Sequence, residues 1–365
     1  MRRRINRSPY FQSKLRRSLL PVLILGLSAY VVIKLPGSDL YAGYLFSKAY
    51  VFDHAVGIGG APNLRYYMIY GAGAPKGLYK AGLKYFIQLN NLGFRQATPV
   101  DLDQIGSARA ARKGILCVGD SLLFGQDLGP GDTIPQQLQK RLTGRGKAGE
   151  KYLIWNASLA GSNTTNVWLK SKFYINLLKP DALIISASEN DFEPACDYTV
   201  SLKEKFYRDL ISGIRPYRAC YALLRDQVKK AFTADCRPQI RIPVQDCVWK
   251  MRQIIQWAGD IPVIILTTDR HEQEIYQPFV EIIRQFDNVR LLNCQKLLRA
   301  SAGLGAFRDP RFAELLNKIS SRFVDPDTLK KSTIYGVTSD GAHPNEIGAL
   351  IIAETLDQML LEMGL

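Results

Sequence analysis

Histidine is scarce in this sequence, and the motifs that bind metals or nucleotides are missing from it. Only His54, His271 and His343 occur among 365 residues. The six cysteines show no C-x-x-C spacing, which argues against a zinc site, and the carboxylates do not cluster at ligand spacing. The dinucleotide fingerprint, a G-x-G-x-x-G that directly follows a strand and opens a helix, is also absent. We therefore predict neither a metal nor an organic cofactor.

Acidic residues are outnumbered by basic ones, and the basic excess is concentrated in two segments. The chain has 48 Lys and Arg against 33 Asp and Glu, a formal net charge of +15. Residues 1–17 contain seven basic residues and no acidic one, and residues 201–252 contain twelve basic and five acidic residues. The rest of the chain is nearly neutral, so each basic segment needs its own interpretation.

The first basic segment precedes an uncharged apolar run at residues 18–33, which Lys34 and Pro36 end. This run is shorter than the about 20 residues of a full membrane span, but Lys34 can snorkel. A cleaved signal peptide and a buried helix are the alternatives. Because no small-x-small cleavage site follows, we expect residues 1–17 to form a cytoplasmic tail and residues 18–35 a transmembrane anchor. The rest then lies in the periplasm or at the cell surface, where nucleic acid is not an expected partner.

Residues 36–112 differ from the chain that follows and are interpreted as an N-terminal extension. No strand and helix frame Gly57-Ile58-Gly59-Gly60, so we predict a flexible connector there rather than a phosphate loop. Residues 84–89 alternate like a strand, and residues 90–95 then turn the chain.

From residue 113 to residue 365, short apolar runs alternate with helical patterns. This alternation predicts a mainly parallel five-stranded sheet covered on both faces, and right-handed crossovers make it a three-layer α/β/α sandwich. The strands are predicted at residues 115–118, 152–156, 182–186, 262–266 and 289–292, and the helices at 134–142, 165–178, 248–257, 274–286 and 347–361.

An insertion is predicted at about residues 192–250, because this segment is too long for an ordinary connection. It carries the second basic segment and a helical pattern at residues 217–232. It is interpreted as a lid or binding surface above the carboxyl edge of the sheet, with a solvated pair of charged helices as the alternative. Outside the cytoplasm, its four cysteines would be able to form two disulfides in three pairings: Cys196, Cys220, Cys236 and Cys247. Cys117 and Cys294 adjoin apolar strands and are predicted to be buried thiols.

Ser121 is a candidate nucleophile because Gly119-Asp120-Ser121 joins the first strand of this domain to a helix. Such a serine lies at the carboxyl edge of the sheet, where open α/β folds bind ligands. The backbone N–H groups of the turn can also face a developing negative charge. A serine nucleophile needs a general base and a carboxylate that orients the base.

His343 is the predicted base, and Asp340 is the predicted orienting carboxylate. His54 lies outside the α/β domain, and His271 follows the fourth strand, where it faces either the site or solvent. Asp340 is three residues before His343, so one compact turn can present both side chains on the same side.

The loops after the second and third strands bring Gly161 and Asn190 to the same edge of the sheet. Gly161 has no side chain, so a substrate carbonyl can approach its N–H closely. The Asn190 amide and the Ser121 N–H complete a predicted oxyanion hole. Taken singly, a glycine or an asparagine in a loop is more often a turn residue.

Four blocks in this order resemble the SGNH (GDSL-type) hydrolase superfamily: Gly119-Asp120-Ser121-Leu122, Gly161, Glu189-Asn190-Asp191 and Asp340-x-x-His343-Pro344. The resemblance covers roughly residues 113–365. It implies a flavodoxin-like sheet, a Ser121 nucleophile, a His343 base oriented by Asp340, and oxyanion donors from Ser121, Gly161 and Asn190. Ser188 stands where the family usually has glycine, and the G-x-S-x-G turn of α/β-hydrolases is absent.

The resemblance implies a serine-dependent ester hydrolase, which we expect to remove an acyl group such as acetyl from a cell-envelope glycan or lipid. An acyltransferase that moves the acyl group to a polysaccharide hydroxyl would use the same residues, so no motif separates the two. A non-catalytic scaffold in an envelope assembly is the third hypothesis, and the intact set of four blocks argues against it. The expected partners are an acylated carbohydrate or lipid substrate, the membrane through the N-terminal helix, and a membrane protein of the envelope.

Overall fold

The computed structural model describes residues 50–53, 55–102, 112–145, 151–186, 189–191, 194–195, 239–240, 242–268, 277–325 and 327–365. The described residues between 49 and 194 and those between 240 and 365 form one compact unit. The predicted anchor and most of the predicted insertion lie outside the described residues. Within those residues, no helix has both the length and the apolar character that a membrane span requires.

The N-terminal extension forms two antiparallel strand pairs. Strand β1 (Tyr50–Asp53) pairs with β2 (Gly57–Gly60), and β3 (Arg65–Ile69) pairs with β4 (Lys84–Gln88). The prediction of a flexible connector at residues 57–60 is therefore wrong. Close packing explains the glycine at position 60, since a Cβ at Gly60 would lie 2.2 Å from the carbonyl oxygen of Gly93.

The central sheet has five parallel strands, as the sequence predicts. Its strands are β5 (Arg112–Val118), β6 (Lys151–Asn156), β7 (Ala182–Ser186), β10 (Val263–Thr267) and β11 (Val289–Asn293). The two-residue strands β8 (Pro194–Ala195) and β9 (Gln239–Ile240) lie between β7 and β10 in the sequence and are not part of this sheet. The order across the sheet is β11-β10-β7-β5-β6. This is the flavodoxin-like order, with a switch point where the chain reverses direction across the sheet beside β5.

The inner strands β7 and β10 are almost entirely apolar because every one of their residues is buried. Ile115 and Cys117 of β5 join one core cluster, together with alternate residues of β7 and β10. Leu116 and Val118 join the opposite cluster. The two-residue period of a strand thus supplies both cores from one segment.

Helices cover both faces and confirm the three-layer α/β/α sandwich. They are α1 (Ser121–Phe124), α2 (Ile134–Arg145), α3 (Thr164–Leu178), α4 (Val244–Ala258), α5 (Gln277–Ile283), α6 (Cys294–Gly303), α7 (Ala313–Ser320), α8 (Thr328–Lys331) and α9 (Glu346–Glu362). Helices α2, α6 and α9 pack on one face of the sheet, and α3, α4 and α5 pack on the other. Since each parallel strand ends at the same edge, the loops after β5, β6 and β7 start side by side.

Candidate active site

The turn after β5 holds Ser121 at the carboxyl edge of the sheet. Ser121 is the first residue of α1, and Asp120 caps this helix by accepting the Leu122 N–H at 3.0 Å. Ser186 supports the turn, because its Oγ donates to Asp120 Oδ1 at 2.7 Å and accepts the Asp120 N–H at 3.1 Å. A Cβ at Gly119 would lie 2.2 Å from Ser186 Oγ. The close approach of Ser186 therefore explains why residue 119 is a glycine, and the hydrogen bonds of Asp120 explain why an aspartate precedes Ser121.

Ser121, His343 and Asp340 form one continuous chain of hydrogen bonds. Ser121 Oγ lies 2.8 Å from His343 Nε2, and His343 Nδ1 lies 2.7 Å from Asp340 Oδ2. The His343 side chain is 22% exposed and that of Asp340 is 6% exposed. The imidazole can thus meet a substrate while the carboxylate behind it is shielded from water.

Opposing effects set the protonation of this pair. Burial disfavours the charged form of His343, but the hydrogen bond and the charge of Asp340 outweigh it and raise the pKa of His343. Burial would also raise the pKa of Asp340, but the His343 side chain and two backbone N–H groups lower it to about 2. Asp340 is therefore ionised at neutral pH, and it stabilises an imidazolium at His343.

The histidine turn, residues 339–345, holds both side chains in place. Asp340 Oδ1 accepts the N–H of Ala342 at 3.0 Å and that of His343 at 2.7 Å. Asn345 then caps α9 by accepting two backbone N–H groups of its first turn. The turn is thus fixed to the buried closing helix, as the three-residue spacing of Asp340 and His343 predicts.

The predicted oxyanion donors lie on neighbouring loops at the same sheet edge. Gly161 has a φ of 76° in the loop after β6. Asn190 lies on the 3-10 turn Glu189–Asp191 after β7, and its Nδ2 donates to the carbonyl oxygen of Ser162 at 2.9 Å. The Ser121 N–H is at the start of α1, where helix geometry provides no acceptor within the helix. Asn190 is thereby fixed to the loop that carries Gly161.

A profile of the GDSL-like lipase/acylhydrolase family matches residues 115–356. The chain belongs to this family. A search of curated proteins gave no match.

Several solved structures are similar to this chain. A lipase/acylhydrolase from Enterococcus faecalis is 14% identical, with 68% of this chain and 95% of that chain covered and a TM-score of 0.39. The psychrotrophic esterase EstA from Pseudoalteromonas sp. is 13% identical, with 69% and 100% covered and a TM-score of 0.38. An acetyl xylan esterase is 14% identical, with 68% and 99% covered and a TM-score of 0.38.

Asp191 connects the Asn190 turn of this GDSL-family chain to two helices. Its buried carboxylate accepts the N–H of Thr164 at 2.8 Å and also the Thr164 hydroxyl, at the start of α3. The Cys247 thiol of α4 donates to it at 3.3 Å. Burial raises the pKa of Asp191, and the bonds from Thr164 and Cys247 oppose that rise.

The cysteine predictions are met in part. Cys117 and Cys294 are buried free thiols, as predicted. Cys247 is also a free thiol, which donates a hydrogen bond to Asp191, so the four cysteines of the insertion do not form the two disulfides that their number would permit. The remaining three cysteines of the predicted insertion lie outside the described residues, as do His54 and His271. No group of three or more His, Cys, Asp or Glu able to hold a metal occurs in the described part of the chain.

Sequence reasoning missed Asp127, in the loop that follows α1. This aspartate is 2% exposed, and its Oδ2 accepts the Ser339 hydroxyl at 2.6 Å. Because 212 residues separate the two, no local pattern could reveal the contact. The left-handed φ of 64° at Asp127 is an unusual conformation for a residue with a side chain.

Proposed function

We propose that this protein is a serine esterase in which Ser121 attacks the acyl carbon of an ester. The observation that carries the proposal is the unbroken contact from Ser121 Oγ through His343 to the buried carboxylate of Asp340, with separations of 2.8 and 2.7 Å. This geometry lets one imidazole nitrogen take the serine proton while the other is stabilised by a negative charge.

The proposed reaction has two half-reactions. In the first, His343 Nε2 takes the Ser121 proton as Oγ bonds to the acyl carbon, and the resulting oxyanion faces Ser121 N–H, Gly161 N–H and Asn190 Nδ2. The C–O bond to the alcohol then breaks, and His343 gives its proton to that alcohol. In the second, His343 takes a proton from water as the water oxygen bonds to the acyl carbon. The bond from that carbon to Ser121 Oγ then breaks, His343 gives its proton back to Oγ, and the acid leaves.

We propose an acyl ester, with acetyl as the leading case, on a cell-envelope glycan or lipid as the substrate. Two features of the sequence support it: the basic and apolar residues 1–35, which favour a membrane anchor, and the basic segment 201–252, which favours an anionic polymer or surface. The proposed location of the catalytic domain is accordingly outside the cytoplasm.

The test compares the full-length wild type in detergent with Ser121→Ala, using p-nitrophenyl acetate and acetylated oligosaccharides. Ser321→Ala is the matched control, because its exposed hydroxyl only bonds the Lys318 carbonyl at the end of α7. Steady acetate release that requires Ser121 is the expected result. Adding unacetylated oligosaccharides and following product mass separates hydrolysis from transfer. The absence of turnover on every ester tried would contradict the proposal and favour a scaffold, and turnover that persists in Ser121→Ala would contradict Ser121 as the nucleophile.

A further inference from the structure

The extension loop, residues 70–79, lies directly against the proposed catalytic carboxylate. A Cβ built on Gly73 would be 2.6 Å from Asp340 Oδ2 and 3.4 Å from its Cγ. Asp340 cannot simply move away, because backbone N–H groups and His343 hold both of its oxygens. The backbone at Gly73 therefore covers Asp340 and helps to leave it only 6% exposed.

The same loop fixes Ser339, the residue before Asp340, from two sides. The Tyr79 hydroxyl donates to the Ser339 carbonyl oxygen. The Ser339 hydroxyl donates to Asp127 Oδ2 at 2.6 Å, and Asp127 Oδ1 accepts the Gly71 N–H at 3.0 Å. The backbone carbonyl of Ser339 is thus bonded directly to the extension loop, and its side-chain hydroxyl is bonded to the same loop through Asp127.

Aromatic packing and backbone pairing hold Tyr79 in position. Its ring stacks on Phe323 with centroids 4.8 Å apart and meets the edge of Tyr70 at 5.1 Å. Two backbone hydrogen bonds flank this contact. The Lys80 N–H donates to the carbonyl oxygen of Arg322 at 2.8 Å, and the Val324 N–H donates to the carbonyl oxygen of Leu78 at 3.1 Å. The hydroxyl is therefore presented from a rigid base.

We propose that the extension loop is part of the active site, with Gly73 covering Asp340 and with Tyr79 and Asp127 acting as positioning residues for the Asp340–His343 pair. The proposal rests on the proposed function only for its effect on turnover. Its structural content concerns which protein groups hold the pair.

The charges around the imidazole are consistent with this arrangement. His343 is near Asp340 on its own turn, Asp127 on the loop after α1 and Asp120 on the nucleophile turn, and all three raise its pKa against the effect of burial. Asp127 itself faces Tyr79 and Tyr85 of the extension, whose pKa values burial raises, so both remain neutral. Loosening Asp340 is therefore expected to lower the pKa of His343.

Gly73→Ala is the decisive variant, and Gly129→Ala is its matched control. Both are glycines without a left-handed backbone, but a Cβ at Gly129 would meet the Asp132 carboxylate at an ordinary 3.6 Å. We expect Gly73→Ala to lower kcat roughly 100-fold, the order expected for a displacement of about 1 Å in a catalytic group. The acid limb of the kcat/KM profile should also move to lower pH. The Gly129 variant should match the wild type.

Two further variants keep the test informative if Gly73→Ala does not fold. Tyr79→Phe retains the ring packing and removes the hydroxyl that bonds to Ser339. Asp127→Asn removes the charge and replaces one of the two oxygens that accept from Gly71 and Ser339 with an NH2 group. Both should lower kcat with little change in KM, and Asp127→Asn should also lower the pKa of His343. Wild-type kinetics and an unchanged pH profile in all three would overturn the proposal.

The pKa of His343, followed by NMR in the full-length protein, separates this proposal from the proposed function. A lower pKa in Gly73→Ala supports the positioning role even if the wild type cleaves no ester. An unchanged pKa in a folded Gly73→Ala contradicts it even if Ser121-dependent turnover is found. His343→Gln assigns the resonance among the three histidines.

Discussion

Replacing Asp340 with asparagine should put the histidine proton on the wrong nitrogen. Asp340 Oδ1 accepts two backbone N–H groups, from Ala342 and His343. An asparagine must keep its carbonyl oxygen there, because an NH2 group would face two donors. Its NH2 group is then directed at His343 Nδ1, which has to accept. The proton of the neutral imidazole is thereby forced onto Nε2, which faces Ser121 Oγ and can no longer accept its proton.

The expected loss is roughly 10⁴-fold in kcat, the order seen when a triad aspartate becomes asparagine. This corresponds to about 5 kcal/mol of transition-state stabilisation. Asp340→Ala leaves Nδ1 free to hydrogen-bond water and does not force a tautomer. We therefore expect the nearly isosteric asparagine to be at least as damaging as alanine.

The assay is kcat/KM for p-nitrophenyl acetate from about pH 5 to about pH 9, the range in which histidine titrates. In the wild type, kcat/KM should rise with pH through the pKa of His343, which Asp340 raises above its usual value. Asp327→Asn is the control, since its carboxylate is 59% exposed and pairs only with Lys330 at the surface. An Asp340→Asn enzyme within tenfold of the wild type would refute the reasoning.

Three further predictions follow from contacts of single side chains. Gly119→Ala should lower the free energy of unfolding in urea by about 1–3 kcal/mol, because its Cβ would lie 2.2 Å from Ser186 Oγ; an unchanged urea midpoint would contradict this. Asn190→Ala should lower kcat roughly 100-fold with KM little changed, as expected for one lost oxyanion donor. A rise in KM of that size with kcat unchanged would contradict this and indicate that Asn190 only binds the substrate in its ground state. Burial lowers the pKa of Lys170 to about 7, so this lysine destabilises the fold at and below that pH. The penalty fades as the pH rises toward about 10.5, where the unfolded chain also loses the proton. Lys170→Met should therefore raise Tm at about pH 6 more than at about pH 10, and equal shifts would argue against a buried charge.

The parts of the fold that the sequence predicts are those that local chemistry determines. Residues 115–118 are apolar without interruption because both faces of the sheet bury them, and this signal needs no partner. Asp340 and His343 are three residues apart, so one turn places them together. The observed bounds of the predicted strands and helices differ from the predicted bounds by only a few residues.

The missed features depend on contacts between distant segments. Gly73 looks like an ordinary loop glycine until Asp340 is seen against it, and 267 positions separate the two in the sequence. Asp127 carries no motif, and its contact with Ser339 joins two loops that no local pattern relates. The glycines of β2 suggested a connector because the sequence does not show that the turn at Gly93 packs on Gly60. In each case packing between segments, rather than residue preference, determines the structure.

The most direct test of the central claim is to find the acyl group. The full-length protein is mixed with p-nitrophenyl acetate, quenched in acid within the first turnover, digested, and mapped by mass spectrometry. The account predicts one acetyl group on the peptide of Ser121, absent in Ser121→Ala and longer-lived in Asp340→Asn. A transient acetyl group on another side chain, with Ser121→Ala still turning over, would contradict it.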